Sequence, residues 1–176
     1  MVALEMRISR PVPAHVQGRL RPALLTGAAW VGLVFAAAVS AHAQTLPTGA
    51  QVVSGHAAVA GDGLNLNVRQ STPAAIISWE SFSIGQRNSV HVDNGSGATL
   101  SRVHGSVASQ IDGSLTATGS LYLVNPAGVA VGSTGRIETG GSFIGSTLDL
   151  SDDEFAKAAR GDSYTLKGDS GASVVN

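Results

Sequence analysis

The sequence lacks, or has little of, three kinds of residue that would each favour a different class of protein. Among its 176 residues there is no cysteine, aromatic residues make up 5% and charged residues make up 13%. The absence of cysteine excludes a disulfide framework and leaves few possible ligands for a zinc site. A helical bundle is disfavoured as well, because it would need more Leu, Glu and Lys.

Glycine, in contrast, is abundant, with 22 residues, roughly twice its ordinary frequency of about 7%. After residue 44, short apolar alternations are separated by Gly, Asn and Asp. Leu64, Leu66 and Val68 alternate with polar residues, and this period of two predicts a half-buried strand. A Gly-Asp-Gly turn at 61–63 follows the apolar run 57–60, so the two segments predict a hairpin.

The segment 75–85 is apolar on both sides. Read as one continuous strand, it places Ile77 and Trp79 on one face, with Phe82 and Ile84 on the other face together with Ile76. Such a strand should be covered on both sides. Trp79 and Phe82 are therefore predicted to be core aromatics, and the alternative is an exposed platform for carbohydrate.

One helix is predicted near 151–160. Ser151 and Glu154 have the spacing of a capping box, in which Glu154 would reach back to the Ser151 amide. Gly161 marks the end of the helix. A helix of this length is too short to stand alone and is expected to pack across a sheet edge or end. Additional short strands are predicted at 100–103, 114–118, 121–124, 129–131, 136–139 and 142–150.

Residues 1–43 are predicted to be a signal peptide. A basic stretch containing Arg7 to Arg21 precedes the uncharged run 23–39, and Ala41-His42-Ala43 is a small-x-small cleavage site. The alternative is a membrane anchor, but the run is near the lower limit of about 17 residues for a span. No basic stop-transfer cluster follows it.

The remaining segment, 44–176, should be a single domain with no nucleic-acid partner. It keeps 7 of the 11 basic and 11 of the 12 acidic residues, a net charge of −4. No Lys/Arg cluster is present, so the electrostatic signature of nucleic-acid binding is missing. The strand-and-turn pattern fits either a β-sandwich or a parallel β-helix. It continues to Asn176 without a charged or proline-rich cap, and we therefore expect this segment to be the head of a longer chain.

A set of short motifs resembles the N-terminal secretion domain, or haemagglutination activity domain, of two-partner secretion exoproteins of the filamentous haemagglutinin type. The likeness covers about residues 46–160. The motifs occur in the family's order: 46–49 (LPTG), 51–53 (QVV), 75–79 (AIISW), 81–85 (SFSIG), 101–103 (SRV), 109–113 (SQIDG), 123–128 (LVNPAG) and 146–151 (STLDLS).

The resemblance implies an all-β fold, a right-handed parallel β-helix with an N-terminal cap formed by the early strands. It implies recognition by the periplasmic domains of a dedicated outer-membrane β-barrel transporter. It also implies export from a Gram-negative cell, either into the medium or onto the cell surface at the outer membrane. Folding would then proceed from this domain into a β-helical remainder, and contact with host glycans or the host cell surface would belong to that missing C-terminal part.

The motif Asn125-Pro126-Ala127-Gly128 predicts a sharp corner. Pro126 sets φ to about −65° and biases Asn125 towards extended geometry, while Gly128 can take positive φ. Asn125, Pro126 and Gly128 are either turn residues or direct transporter contacts. The family pattern is Asn-Pro-Asn-Gly, so Ala127 removes one side-chain amide. The family's Asn-Pro-Asn-Leu motif has no counterpart here, which indicates the shorter, adhesin-like branch.

No active site, metal site or cofactor site is predicted. His56, His91 and His104 are isolated in sequence, and no Gly-x-Ser-x-Gly elbow surrounds any serine. The acidic residues outside the helix are dispersed; they include Glu80, Asp93, Asp112 and Glu138.

The sequence therefore predicts a non-enzymatic, secretion-targeting and fold-nucleating domain of an adhesin-like exoprotein. Two alternatives remain open at this point: a small β-helical carbohydrate-active enzyme, and an adhesive module that binds glycans itself.

Overall fold

Residues 45–176 are the part of the chain that the computed structural model describes, and they form a β-solenoid of about three turns with one short helix. The predicted signal peptide, 1–43, lies outside them and stays a prediction. The strands are β1 (Gln51–Ser54), β2 (Ala57–Gly61), β3 (Asn65–Gln70), β4 (Ala74–Trp79), β5 (Ser89–Asp93), β6 (Ala98–Val103), β7 (Ser109–Ile111), β8 (Ser114–Ala117), β9 (Ser120–Val124), β10 (Val129–Val131), β11 (Arg136–Thr139), β12 (Phe143–Ser146) and β13 (Val174–Val175), and the helix is α1 (Asp152–Ala159).

The strands form three sheets, one for each side of the coil, and the third side of the first coil is represented only by a bridge between Ile84 and Ile111. The first sheet has the order β2-β3-β5-β8-β11, the second β1-β4-β6-β9-β12, and the third β7-β10-β13. From β3 onwards every pairing between coils is parallel. A parallel pairing of each strand with the next coil is the β-helix arrangement, and it rules out the sandwich that the sequence left open.

The N-terminal segment closes the first coil with antiparallel strands. β1 pairs with β4, and β2 pairs with β3 as the predicted hairpin. Thr48 forms an antiparallel bridge with Ser81. The edges of the first coil are therefore covered by the chain itself, and the predicted cap of early strands is confirmed.

The interior is filled by columns of apolar side chains that repeat from coil to coil. In the first sheet Leu66, Val90 and Leu115 stack in register, with Ile137 next in line. In this sheet β5 and β8 alternate buried apolar residues with outward polar ones, as the period of two predicts. Burying one such side chain contributes about 1.5–3 kcal/mol, so the columns supply most of the stability.

The segment 75–85 is not one strand, and its facial assignment was wrong. β4 ends at Trp79, and the chain then changes direction at Glu80. Because of that bend, Phe82 and Ile84 enter the same interior core as Ile77 and Trp79. Only Ile76 lies on the outer face, where it packs in a second core. Burial of β4 on both sides is nevertheless as predicted.

The second core lies outside the solenoid, under the helix. Large side chains from three coils, Ile76, Leu100 and Tyr122, form an outward-facing stripe on the second sheet, and Phe155 of α1 covers it. Phe155 and Tyr122 meet edge to face, with ring centroids 5.6 Å apart. The prediction that the helix packs on a sheet edge or end was therefore wrong, since this face is apolar enough to bury it.

The helix ends are only partly as predicted. Ser151 Oγ accepts from the Glu154 amide at 3.4 Å, but the Glu154 carboxylate does not return to Ser151. Its Oε2 instead accepts from the Thr165 amide at 2.7 Å, and its Oε1 accepts from Lys157 Nζ at 2.5 Å. Glu154 thus fastens the helix to the chain that follows it. Within residues 45–176, no helix has the length and apolar character needed to cross a membrane.

Candidate functional site

The corner 125–128 joins β9 to β10 through a tight turn. The Gly128 amide donates to the Asn125 carbonyl at 3.0 Å, and the Ala127 amide donates to Asn125 Oδ1 at 2.9 Å. Gly128 has φ 122°, a conformation that favours glycine. Pro126, between them, is exposed. The predicted sharp corner is confirmed, and the Asn125 side chain closes it.

The Asn125 side chain also reaches back to the previous coil. Its Nδ2 donates to the Val107 carbonyl at 3.0 Å and to Ser109 Oγ at 2.9 Å. The residue is 0% exposed. A partner outside the folded domain therefore cannot contact this amide, whereas it can contact the Pro126 ring. Ala127, which departs from the family pattern, is half-buried and contributes its backbone amide to the turn.

Two other buried asparagines lie one coil before Asn125, at the corners on either side of β5. The sequence analysis did not predict that they are buried. Asn88, just before β5, accepts from the Thr45 amide at 3.1 Å and donates to the Leu64 carbonyl at 3.0 Å. Asn94, just after β5, is hydrogen-bonded to the coil above it. Their sequence signal is an asparagine immediately flanking an alternating strand. Each replaces main-chain hydrogen bonds that a bending backbone cannot make.

Trp79 and Phe82 lie in the interior, each 1% exposed, with ring centroids 5.3 Å apart in an edge-to-face contact. Trp79 Nε1 is buried without a hydrogen-bond partner. Neither ring is accessible to a sugar. The other aromatic side chains of residues 45–176 are buried or half-buried, so this part of the chain has no exposed aromatic platform.

The C-terminal end of the solenoid is open. Among the described residues, no strand pairs with the outer edges of β11, β12 or β13. A cavity of about 610 Å³ lies at this end, and its floor includes Val131, Ile137, Phe143 and Val174. These side chains belong to the interior columns but have nothing stacked above them. The end therefore combines unpaired backbone groups with an apolar floor, which is what a further coil would require.

The residues considered for catalysis do not converge. His91 Nδ1 lies 2.8 Å from Thr116 Oγ1 on the outer face of the first sheet, and Asp112 accepts from the Gln110 side chain at 3.0 Å. His56, His104 and Glu80 are exposed. Within residues 45–176 no three His, Asp or Glu side chains are grouped so that they could hold a metal ion.

The perturbed pKa values in this part of the chain have structural causes. Hydrogen bonds from Asn65 lower the pKa of the Asp62 carboxyl in the hairpin turn. The hydrogen bond from Lys157 lowers the pKa of the Glu154 carboxyl. Burial under the helix raises the pKa of the Tyr122 hydroxyl. The two carboxylates bond to neighbouring residues of their own turn or helix, and Tyr122 packs against Phe155 of the helix.

Comparison with known proteins gives relatives in both sequence and structure. A heme/hemopexin-binding protein of Haemophilus influenzae (strain ATCC 51907 / DSM 11121 / KW20 / Rd) is 40% identical over 118 residues, covering 66% of this chain and 13% of the relative. A second such protein of Haemophilus influenzae is 39% identical over 87 residues, covering 48% and 9%. The crystal structure of the HMW1 secretion domain from Haemophilus influenzae superposes with a TM-score of 0.64 at 34% identity, covering 74% of this chain and 35% of that one.

The chain thus corresponds to a small part of the length of these curated relatives. The model of the TPS secretion domain family matches residues 43–174, which includes all three sheets, the Asn-Pro corner and the helix. The family is one of secretion domains and not of enzymes. Its members are exported through an outer-membrane transporter partner in Gram-negative bacteria. With its fold, its corner and its sequence in agreement, this chain belongs to the two-partner secretion (TPS) domain family and is a secretion-targeting domain.

Proposed function

We propose that this domain has two successive roles in the export of an adhesin-like exoprotein. Periplasmic domains of the outer-membrane transporter first recognise it, and its open end then acts as the template on which the following chain folds. The observation that carries the second role is the contrast between the ends, since one is closed by antiparallel strands and the other presents free parallel edges.

Templating follows from the energetics of a solenoid. The first coil of any β-helix must order many residues before it gains neighbours, whereas a later coil finds an existing edge and an apolar floor. Here β11 and β12 supply the edge, and Phe143 and Ile137 supply part of the floor. Each added coil would bury this floor and leave an equivalent one above it. Folding then advances in one direction, away from the cap.

Recognition is assigned to the corner 125–128 in two parts. Asn125 is fully buried, so it acts by holding the corner in shape. Pro126 is exposed beside it and is the member of the motif that a partner can touch. The turn and the contact therefore reside in different residues of the same motif, and substitution can separate them.

The recognition test measures export of the complete exoprotein. Deletion of residues 125–128 is expected to leave the protein in the periplasm, because both the corner and the contact are lost. Pro126→Ala keeps the Asn125 hydrogen bonds and is expected to lower export while the folded domain keeps its stability. Ala108→Ser, at an exposed position in the neighbouring loop, is the matched control. Normal export of the deletion variant would refute this role.

The templating test introduces a negative charge at the open end. Phe143→Asp places a carboxylate on the apolar floor, and Val53→Asp places the same charge on the exposed strand β1 at the closed end. We expect both proteins to reach the medium, but only Phe143→Asp to lower the protease-resistant yield of the chain beyond residue 176. Equal yields from the two variants would show that the end is not a template.

We infer that the rest of the exoprotein determines the final location of the exported product and makes its contacts with the host. The exported product is either released or held at the outer membrane, and binding of host glycans or the host cell surface belongs to segments beyond this domain. Support comes from the absence of exposed aromatic side chains in residues 45–176. Glycan-array binding by the complete exoprotein, but not by a variant cut after the domain, is the expected result. Binding by the shortened protein would assign adhesion to the domain.

A further inference from the structure

Asn94 occupies the corner between β5 and β6 and uses the whole hydrogen-bonding capacity of its side chain. Its Nδ2 donates to Thr99 Oγ1 at 2.9 Å and to the Ser120 carbonyl at 3.0 Å. Its Oδ1 accepts from the Gly119 amide at 2.6 Å and from Thr118 Oγ1 at 3.1 Å. Only 5% of the residue is exposed. The amide therefore ties the second coil to the third.

The network extends into the first coil. Thr99 Oγ1 donates to Gln70 Oε1 at 2.7 Å, and Gln70 Nε2 donates to the Thr72 carbonyl at 2.7 Å. Gln70 and Thr99 are both buried. Three successive coils thus share one chain of side-chain hydrogen bonds at this corner. Asn94 is the member that connects the second coil to the third.

The residue that follows Asn94 makes it chemically vulnerable. Gly95 is exposed, has φ 58°, and has no atom within 4 Å of the position where a Cβ would lie. A glycine offers the least steric hindrance to attack by its amide nitrogen on the preceding side chain. In the reaction a bond forms between Gly95 N and Asn94 Cγ, and the bond from Cγ to the side-chain nitrogen breaks. Ammonia leaves with the proton lost by Gly95, and water then opens the succinimide to aspartate or isoaspartate.

We propose that Asn94 is a deamidation site of the unfolded chain and that folding of the corner protects it. In the folded domain, Cγ can reach the Gly95 nitrogen only if the side chain first gives up its four hydrogen bonds. In the unfolded chain none of these restraints exists. The inference bears on the export proposed above only through the time that the chain spends unfolded before the corner between β5 and β6 closes. The chemistry itself does not depend on a transporter.

Deamidation before folding would block the corner. A carboxylate cannot donate to the Ser120 carbonyl, and none of the hydrogen-bonding partners of Asn94 is a cation. A buried acceptor would face another acceptor, and a buried charge would be unpaired. Isoaspartate would also lengthen the backbone by one carbon between β5 and β6. Chains in which Asn94 deamidates before folding would therefore lose the ability to pack the second coil against the third.

The first test follows the mass of the Asn94 peptide over time. The full chain is held at mildly alkaline pH, folded in one sample and in concentrated urea in the other. We expect conversion of amide to acid in urea, and a rate lower by about 100-fold in the folded sample, because reaction there requires local opening. Asn125, followed by Pro126 with no amide hydrogen, is the internal control and should stay unchanged. Equal rates in both samples, or faster conversion at Asn88 than at Asn94, would overturn the proposal.

The second test measures refolding of defined variants. Asn94→Asp reproduces one product and is expected to lower the equilibrium constant for folding by about 30-fold or more, as for a buried donor lost and a charge gained. Asn67→Asp, on the exposed outer face of β3, is the matched control and should refold as the unchanged chain does. If Asn94→Asp refolds normally, the modification has no consequence and this part of the proposal is wrong. Failure of the transporter experiments would leave both results unaffected.

Discussion

The two ends of the solenoid are built from the same kinds of residue but are finished in opposite ways. At the N-terminal end the chain reverses, so that β1 and β2 run antiparallel to β4 and β3 and cover their edges. At the C-terminal end β11, β12 and β13 are all parallel additions, and their outer edges have no partner within residues 45–176. Reversal ends a solenoid, whereas parallel addition permits another coil. Under the proposed templating role, the direction of growth would follow from this difference in strand polarity.

The excursion between β12 and β13 adds a second difference. Residues 147–173 leave the coil, place α1 on the outer stripe, and return to supply β13. Arg102, 17% exposed in its side chain, donates to Asp149 at 3.1 Å, to the Leu150 carbonyl at 2.6 Å and to Asp152 at 2.9 Å. In most solenoids a coil contacts only its neighbours. Here one segment contacts several coils and makes them a unit.

The largest expected effect comes from removing the closed end. Deletion of residues 45–61 removes the strands that pair with β3 and β4, and we expect the remaining chain not to fold, since the first coil then loses its backbone partners and the cover of its core. Deletion of 172–176 removes only β13, whose valines are already half-exposed, and should cost about 1–2 kcal/mol. Urea unfolding followed by circular dichroism measures both. Similar losses would break the comparison.

A matched pair of phenylalanines tests the difference in packing. Phe82→Ala empties a fully enclosed site beside Trp79 and should lower the free energy of unfolding by about 3–5 kcal/mol. Phe143→Ala at the open end should lower it by about 1–2 kcal/mol, because part of that ring already faces solvent. Fluorescence of Trp79 during urea unfolding reports both values. An equal cost would mean that the open end is as well packed as the interior.

Substitution of two corner asparagines tests whether the closed end and the third coil are stabilised independently of each other. Asn88→Ala breaks the link from the cap to the second coil, and Asn125→Ala breaks the link from the third coil to the second. Each leaves buried polar groups without partners and should cost about 2–3 kcal/mol. Hydrogen exchange is expected to rise in 45–64 for the first variant and in 107–109 for the second. The same pattern of exchange in both would show that the corners are not independent.

The smallest expected effect is on how steeply stability falls at acidic pH. Asp62 in the hairpin and Glu154 in the excursion have lowered pKa values in the fold, caused by Asn65 and by Lys157 respectively. Their stabilisation is therefore complete above the ordinary carboxyl pKa values of 3.8 and 4.5, and is lost as pH falls through the lowered values. Asp62→Asn and Glu154→Gln should each flatten the fall of the unfolding midpoint in this range. Asp62 is exposed, so Asp62→Asn should change the midpoint at neutral pH little, whereas Glu154 is half-buried.

Local patterns were sufficient for the strands but not for their assembly. The alternation of Leu64, Leu66 and Val68 identified β3, and the Gly-Asp-Gly turn identified the hairpin, because both depend on neighbouring residues. The faces of Phe82 and Ile84 were wrong because a bend at Glu80 changed the period in the middle of the segment. The burial of Asn88 and Asn94 and their hydrogen bonds were missed because their partners lie one coil away, at sequence separations of 24 and 26.

By itself the sequence determined the fold class, the corner at Asn125 to Gly128, the capped start of α1 and the membership of a secretion family. These follow from short-range backbone preferences and from motifs in a fixed order. Only the tertiary structure decided that Asn125 is buried while Pro126 is exposed, that α1 lies on an outer face, and that one end is closed and the other open. Burial and edge pairing are set by segments that meet a full coil apart, and no local pattern of residues encodes that distance.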